Sequence, residues 1–354
     1  MKILLTSNLN DGNDVIDGLY HRLKQHVDIQ VSVKYFWETN LSTVPDIIHI
    51  QWPEQLFFWK PINTEDLTRL IKQLKFWKDK GSKIIVTRHN IFPHTLNALY
   101  KEAYEIIYSY CDAVIHYSNA SINNFNTLYD VKKIYPIHEI IFHPMYSDIE
   151  NNIDTASARK YLDIDKDKKV ILIFGAIRND EERQFTLNVF NILDIQKKVL
   201  LAPSWYQRVA KRTPIKWLFS KVKTFFDRPD KKLILSQKYV HEDDIQMYMH
   251  AANIIFLPRF EVLNSGVLLL AYSFNKIVVG PSSGSVGELL ALSNNPAFEV
   301  GNVSDAALKI KEGLKLSNKK INNYTFVKKH MNWDIIIDKH LQLYQNVINT
   351  SISR

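Results

Sequence analysis

At 354 residues the chain is long enough for two ordinary domains, each able to bury its own core. Its 46% hydrophobic and 23% charged residues exclude a disordered chain, and its one cysteine, Cys111, excludes an internal disulfide framework and fits a reducing compartment. The net charge of +8 is concentrated, with nine Lys/Arg against two Asp between Arg208 and Lys232, and no recognised nucleic-acid motif accompanies it.

Lys2 to Thr6 reads as a first strand. The apolar run there is too short for a signal peptide, and nowhere does the chain approach the ~20 apolar residues of a membrane span. A polar loop through Gly12 and a helix through Tyr20 and Leu23 follow. Asp46 to Glu54 reads as a strand stopped by Pro53, Lys83 to Asn90 as another, and Ala113 to Ser118 as a third. Apolar strands that end in polar residues and alternate with helical patterns argue for a Rossmann-like half. His89, at the end of the second of these runs, can serve as acid or base if its pKa stays near about 6.5, or can be a strand-end histidine satisfied by backbone. His49, His94, His116, His138 and His143 show no metal-ligand spacing and read as structural.

The passage to a second half falls between Tyr146 and Asp167, where a polar stretch precedes a short helix at 158–162. Asp163-Ile164-Asp165 is read as a charged turn. Lys169 to Gly175 is a strand, followed by Arg178 and Arg183, five residues apart. Lys197 to Leu201 is the next strand. In the basic segment 208–232, Ile215, Leu218, Phe219, Val222, Phe225 and Phe226 recur at helical spacing opposite lysines. Such a helix suits either an anionic membrane surface or packing on its own domain. A helix over His241 to His250 leads into the strand Ala252 to Leu257, broken at Pro258. Then come a polar loop with Glu261, Asn264, Ser265 and Gly266, a helix-length apolar segment, the strand Lys276 to Gly280, and a Ser/Gly loop before a helix that Glu288 opens. Two strand-loop-helix units in a row place both loops at the carboxyl edge of one parallel sheet. There Ser265, Gly266, Ser283 and Gly284 can offer helix N-terminal amides to a phosphate. A last helix runs from Met331-Asn332-Trp333-Asp334 to near Val347.

The run Leu270-Ala271-Tyr272-Ser273-Phe274-Asn275-Lys276-Ile277-Val278-Val279-Gly280 resembles the donor-binding segment Glu-Ala-Met-Ala-x-Gly-x-Pro-Val-Val-Ala of GT-B glycosyltransferases, particularly the retaining family 4 group. The family's second glutamate falls on Leu270, its glycine on Asn275 and its proline on Ile277, so the two-glutamate signature is altered. Thr87-Arg88-His89-Asn90 resembles the family's Thr-x-His-Asp, and by that resemblance His89 contacts the transferred sugar. Arg178 and Arg183 resemble the Arg and Lys that neutralise a donor diphosphate, although Asp180, Glu181 and Glu182 can pair with them instead.

The resemblance implies an α/β chain of GT-B type, two Rossmann-like domains facing a central cleft. Residues 1–155 would form the acceptor domain, 156–330 the nucleotide-sugar donor domain, and 331–354 a helix packing back on the first. It implies a hexosyltransferase-type glycosyltransferase with no metal and no cofactor besides its nucleoside-diphosphate sugar. The donor would meet Arg178, Arg183, Ser265 and Gly266. Glu261 or Glu288 would hydrogen-bond donor hydroxyls, with Glu288 the candidate for the ribose, and Asn264 would orient the sugar or cap its helix. The acceptor would be a saccharide, lipid-linked and bound for surface polysaccharide, reached by a cytoplasmic protein on the inner face of the membrane through 208–232. The competing readings are a nucleotide-sugar epimerase and a non-catalytic relative that binds saccharide or a partner enzyme.

Overall fold

The computed structural model describes residues 1–9, 14–39, 43–92, 98–129, 136–205, 231–236, 239–260, 262–316 and 321–350. The chain divides into two compact units, Met1–Pro144 with Asn332–Arg354, and Met145–Met331. The division falls at 144 and not at 155, because residues 145–155 are tied into the second unit. The Met145 amide donates to Met331, the Tyr146 amide to the Ser273 hydroxyl and the Asn152 amide to Gln246.

The first unit carries β1 (Lys2–Thr6), α1 (Asp14–Leu23), β2 (Asp28–Val31), α2 (Val33–Phe36), β3 (Ile47–Ile50), α3 (Pro53–Leu56), α4 (Thr64–Asp79), β4 (Lys83–Thr87), α5 (Leu99–Tyr110), β5 (Ala113–His116), α6 (Asn119–Leu128) and β6 (Ile137–Ile140). Its six strands are parallel, in the order β2-β1-β3-β4-β5-β6. Alternation along each strand sends Leu4, Ile48, Ile84, Val86 and Val114 to one face and Ile3, Leu5, Ile47, Ile85 and Ile115 to the other. Both faces are covered, which is why the central strands read as unbroken apolar runs.

The second unit carries α7 (Thr155–Tyr161), β7 (Lys169–Leu172), α8 (Asp180–Ile192), β8 (Lys198–Ala202), β9 (Lys231–Leu235), α9 (Glu242–Ala251), β10 (Ile254–Phe256), α10 (Gly266–Ser273), β11 (Val278–Pro281), α11 (Gly284–Leu292), β12 (Ala297–Phe298), α12 (Val303–Lys315) and α13 (Asn323–His330). Its strands are also all parallel, in the order β12-β11-β10-β7-β8-β9. Chain order therefore reverses between β7 and β10. This is the dinucleotide-fold arrangement, and such a reversal leaves a crevice at the carboxyl ends of the two strands.

The last helix, α14 (Trp333–Asn349), belongs to the first unit. Its Trp333, Ile336, Ile337, Leu343, Tyr344 and Val347 complete the sheet face that holds Ile3 and Leu5. Gly18 of α1 makes room for it, since a Cβ there would stand 2.6 Å from the Trp333 ring.

On the opposite face, Glu54 is fully buried, and among the described residues neither carboxyl oxygen receives a hydrogen bond of good geometry. Burial raises its pKa above the ordinary carboxylate value, and weak contacts from its own backbone amide and then from the Tyr104 hydroxyl offset this only in part. A carboxyl whose folded-state pKa is raised loses stability as pH rises through that value. Glu54→Met should therefore stabilise the chain at neutral pH by about 1–3 kcal/mol, the cost of an unsatisfied buried group. In thermal unfolding at a series of pH values this gain should shrink as pH falls toward the ordinary carboxylate range, where Glu54 is neutral whether folded or unfolded.

Candidate functional site

The crevice between β7 and β10 is built on one carboxylate. Glu182, in the first turn of α8, is 2% exposed. Its Oε2 accepts from Arg259 Nη1 at 2.5 Å and from the Arg178 amide at 2.9 Å. Arg259 follows β10 and is itself buried, and its Nη2 donates to the Ala176 carbonyl at 3.0 Å. Asn179 caps α8 by accepting from the Glu182 amide at 2.8 Å. The loops that leave β7 and β10 are thus joined by a buried ion pair and by the hydrogen bond from Arg259 to the Ala176 carbonyl.

The next loops lock onto this pair. Gly175 lies against α10, where a Cβ would stand 3.4 Å from Val267. The Ser285 amide of α11 donates to Leu263 at 3.0 Å. Gly284 has a φ of +62°, and a Cβ there would stand 2.2 Å from the Val262 carbonyl, so only glycine fits. Three strand-to-helix loops of the second unit therefore meet at one carboxyl edge.

Of the sequence-derived residues, Arg178 sits just before the α8 cap with its backbone fixed by Glu182. Ser265 is the N-cap of α10, its hydroxyl accepting from the Leu268 amide, so the capping residue is Ser265 and not Asn264. Gly266 opens that helix on the exposed side, where a Cβ would stand 2.9 Å from the Tyr146 hydroxyl. No acidic residue lies in the first turn of α10, whereas Asp180, Glu181 and Glu182 fill that of α8. The N-terminus of α10 is thus free of acidic residues, as is that of α11.

Arg183 is engaged elsewhere. It pairs with Asp180, donates to the Trp205 carbonyl at 3.5 Å and lies 5.8 Å from the Trp205 ring. Five-residue spacing puts it on α8, more than one turn beyond Arg178, and does not make the two a single cationic pair. Glu288 lies one turn inside α11, which begins at Gly284 and not at Glu288. Glu261 and nearly all of 208–232 lie outside the described residues. Asn275, where the resemblance expects glycine, has a φ of +53° just past the end of α10 and accepts from the Tyr324 amide. Asparagine is the commonest substitute for glycine in that left-handed position.

In the first unit, His89 follows β4 and stacks on Trp52, ring centroids 4.1 Å apart at 20°. Its Nε2–H donates to Gln51 Oε1 at 2.9 Å, and its Nδ1 accepts from the Tyr117 hydroxyl at 3.2 Å. Burial, and next the charge of His143, lowers its pKa to about 3. Of the two readings the sequence left open, this environment favours the neutral hydrogen-bonding group over an acid or base at neutral pH. His116 bonds Ser121 and His138, and His340 bonds the Ile336 carbonyl, in keeping with structural roles.

No family model and no curated protein matches the sequence. Solved structures match over nearly the whole chain. Sucrose-phosphate synthase from Thermosynechococcus elongatus superposes with a TM-score of 0.71 at 13% identity, covering 99% of this chain and 100% of that one. The chain has the GT-B fold. HepE from Anabaena, in complex with UDP and glucose, gives a TM-score of 0.65 at 14% identity, covering 98% of this chain and 99% of its own. A glycosyltransferase from Rickettsia africae gives 0.64 at 13% identity, with 98% of each chain covered.

In this GT-B chain the sequence reading missed Arg259, Gln51, Trp52 and Tyr117. Their signal was positional, since each stands one to three residues past a strand end. Removing one partner of a buried ion pair costs about 3–5 kcal/mol, while replacing both by apolar residues is often near neutral. Arg259→Met should therefore lower stability in urea unfolding by about that amount, and Arg259→Met with Glu182→Leu should recover most of it.

Proposed function

We propose that the protein is a glycosyltransferase that moves a hexosyl group from a nucleoside-diphosphate sugar to a saccharide acceptor. The observation that carries this reading is the reversal between β7 and β10, where the Arg178 loop and the open N-terminus of α10 come to one edge. A diphosphate leaving group gains negative charge as the glycosidic bond breaks. Cations and amide dipoles already fixed at that edge stabilise the transition state more than the ground state. Arg178 and the amides at Gly266 are assigned to the diphosphate, and Glu288 to the ribose. Charge neutralised in this way leaves no step that requires a metal. We assign the acceptor to the first unit, with His89 as a neutral hydrogen-bond partner of the sugar. The nine Lys/Arg of 208–232 suit an anionic inner membrane face and hence a lipid-linked acceptor in surface polysaccharide synthesis. Among the described residues no helix is long and apolar enough to cross a membrane.

HepE has been solved with UDP and with UDP-glucose, so UDP leads the panel that tests this reading. Thermal unfolding of the wild type and of Arg178→Ala is measured with UDP, GDP, dTDP and CMP, each with and without EDTA. A nucleotide at about 100 times its dissociation constant should add about 2.7 kcal/mol of stability. One nucleotide should stabilise the wild type, keep its effect in EDTA and lose most of it on Arg178→Ala. Silence from every nucleotide would refute the transferase in favour of a non-catalytic saccharide binder.

A further inference from the structure

Both ring nitrogens of His89 are used within the first unit, and the hydrogen bonds around it form a chain that reaches α14. The Gln51 amide that accepts from His89 donates its own N–H to His49 Nε2 at 3.1 Å. The Thr87 hydroxyl donates to the same nitrogen at 2.8 Å. With Nε2 accepting twice, the His49 proton is on Nδ1, where it donates to the Tyr344 hydroxyl at 2.8 Å. His49, Thr87, Tyr344 and Gln51 are all at most 4% exposed, so these four groups are shielded from water. Buried polar chains of this kind have few self-consistent proton arrangements, because each donor needs its acceptor.

We infer that Gln51 is a positioning residue that holds His89 as the neutral, Nε2-protonated tautomer, and that His49 and Tyr344 set the orientation of Gln51. The inference rests on the transferase reading only in taking His89 as a group that meets the sugar. Its consequence is specific. Nδ1 is the acceptor nitrogen, so a sugar hydroxyl that takes the place of Tyr117 donates to His89 and receives no proton from it. The helix at the end of the sequence thereby fixes the chemistry of a residue on the β4 loop.

Among the described residues, the titratable groups packed around His89 and its chain include Tyr117 at the end of β5, His143 beyond β6, His49 on β3, and His340 and Tyr344 on α14. Burial lowers the pKa of all three of these histidines, so each is neutral alongside His89 near neutral pH.

The test follows the histidine ring nitrogens of the full 15N-labelled chain by NMR from about pH 8 to about pH 4, a window that spans an ordinary histidine titration. His89→Gln identifies the His89 signals, and circular dichroism checks that each variant folds. Wild-type His89 should keep its proton on Nε2 throughout. In Gln51→Glu the new carboxylate favours the imidazolium, and the His89 midpoint should rise by two pH units or more, about 100-fold in proton affinity. In Tyr344→Phe, His49 loses the acceptor for its Nδ1 proton, Gln51 can reverse, and both His89 tautomers should appear. The inference is overturned by a wild-type His89 protonated on Nδ1 or titrating at its ordinary value, by an unmoved midpoint in Gln51→Glu, or by an unchanged tautomer in Tyr344→Phe. Failure of the transferase reading would show instead as nucleotides that do not bind, with these spectra unaffected.

Discussion

The carboxylate of Glu182 is the fixed point of the second unit. It is buried with Arg259, and a buried charge pair is tolerated only when its remaining hydrogen-bonding capacity is also met. Here the Arg178 amide and the Ala176 carbonyl meet it, and both belong to the loop after β7. The pair therefore ties the start of β10's loop to the end of β7 across the place where chain order reverses. The contacts of Gly284 with Val262 and of Ser285 with Leu263 extend the same lock to the third loop. The Arg178 backbone amide is fixed by the same carboxylate.

The two units meet their polar demands in different ways. The second uses charge, with a buried ion pair and a helix N-terminus clear of acidic residues. Around His89 the first uses neutral groups, a chain of amide, imidazole and hydroxyl from Tyr344 to Tyr117 in which both histidines are kept uncharged by burial. Charge suits an anionic leaving group, whereas neutral donors and acceptors suit a sugar's hydroxyls.

Much of the fold was legible in the sequence. Strands β1, β3, β4, β5, β7, β8, β10 and β11 announce themselves as apolar runs ending in polar residues, because each is covered on both faces. The four strands that escaped notice, β2, β6, β9 and β12, are the edges of the two sheets. Asp28–Val31 and Ile137–Ile140 are half exposed and have no buried run to read. The candidate site was legible in part. Spacing and loop composition placed Arg178, Ser265 and Gly266 at strand-to-helix turns, and they lie there. For Arg183 the sequence left two partners open, a donor diphosphate or the acidic residues beside it, because spacing along the chain does not say what a guanidinium will pair with; in the structure it pairs with Asp180.

The sequence by itself determined the local facts: which segments are buried strands, where helices are capped, where backbone amides gather at a sheet edge. These follow from patterns a few residues long, set by the pitch of helix and strand. Only the tertiary structure decided which side chains share a proton or a charge. Glu182 with Arg259 are 77 residues apart, and His49 with Tyr344 are 295 apart. The state of His89 depends on such partners, because burial and hydrogen bonding by distant residues, and not its neighbours in the chain, choose between charged and neutral imidazole.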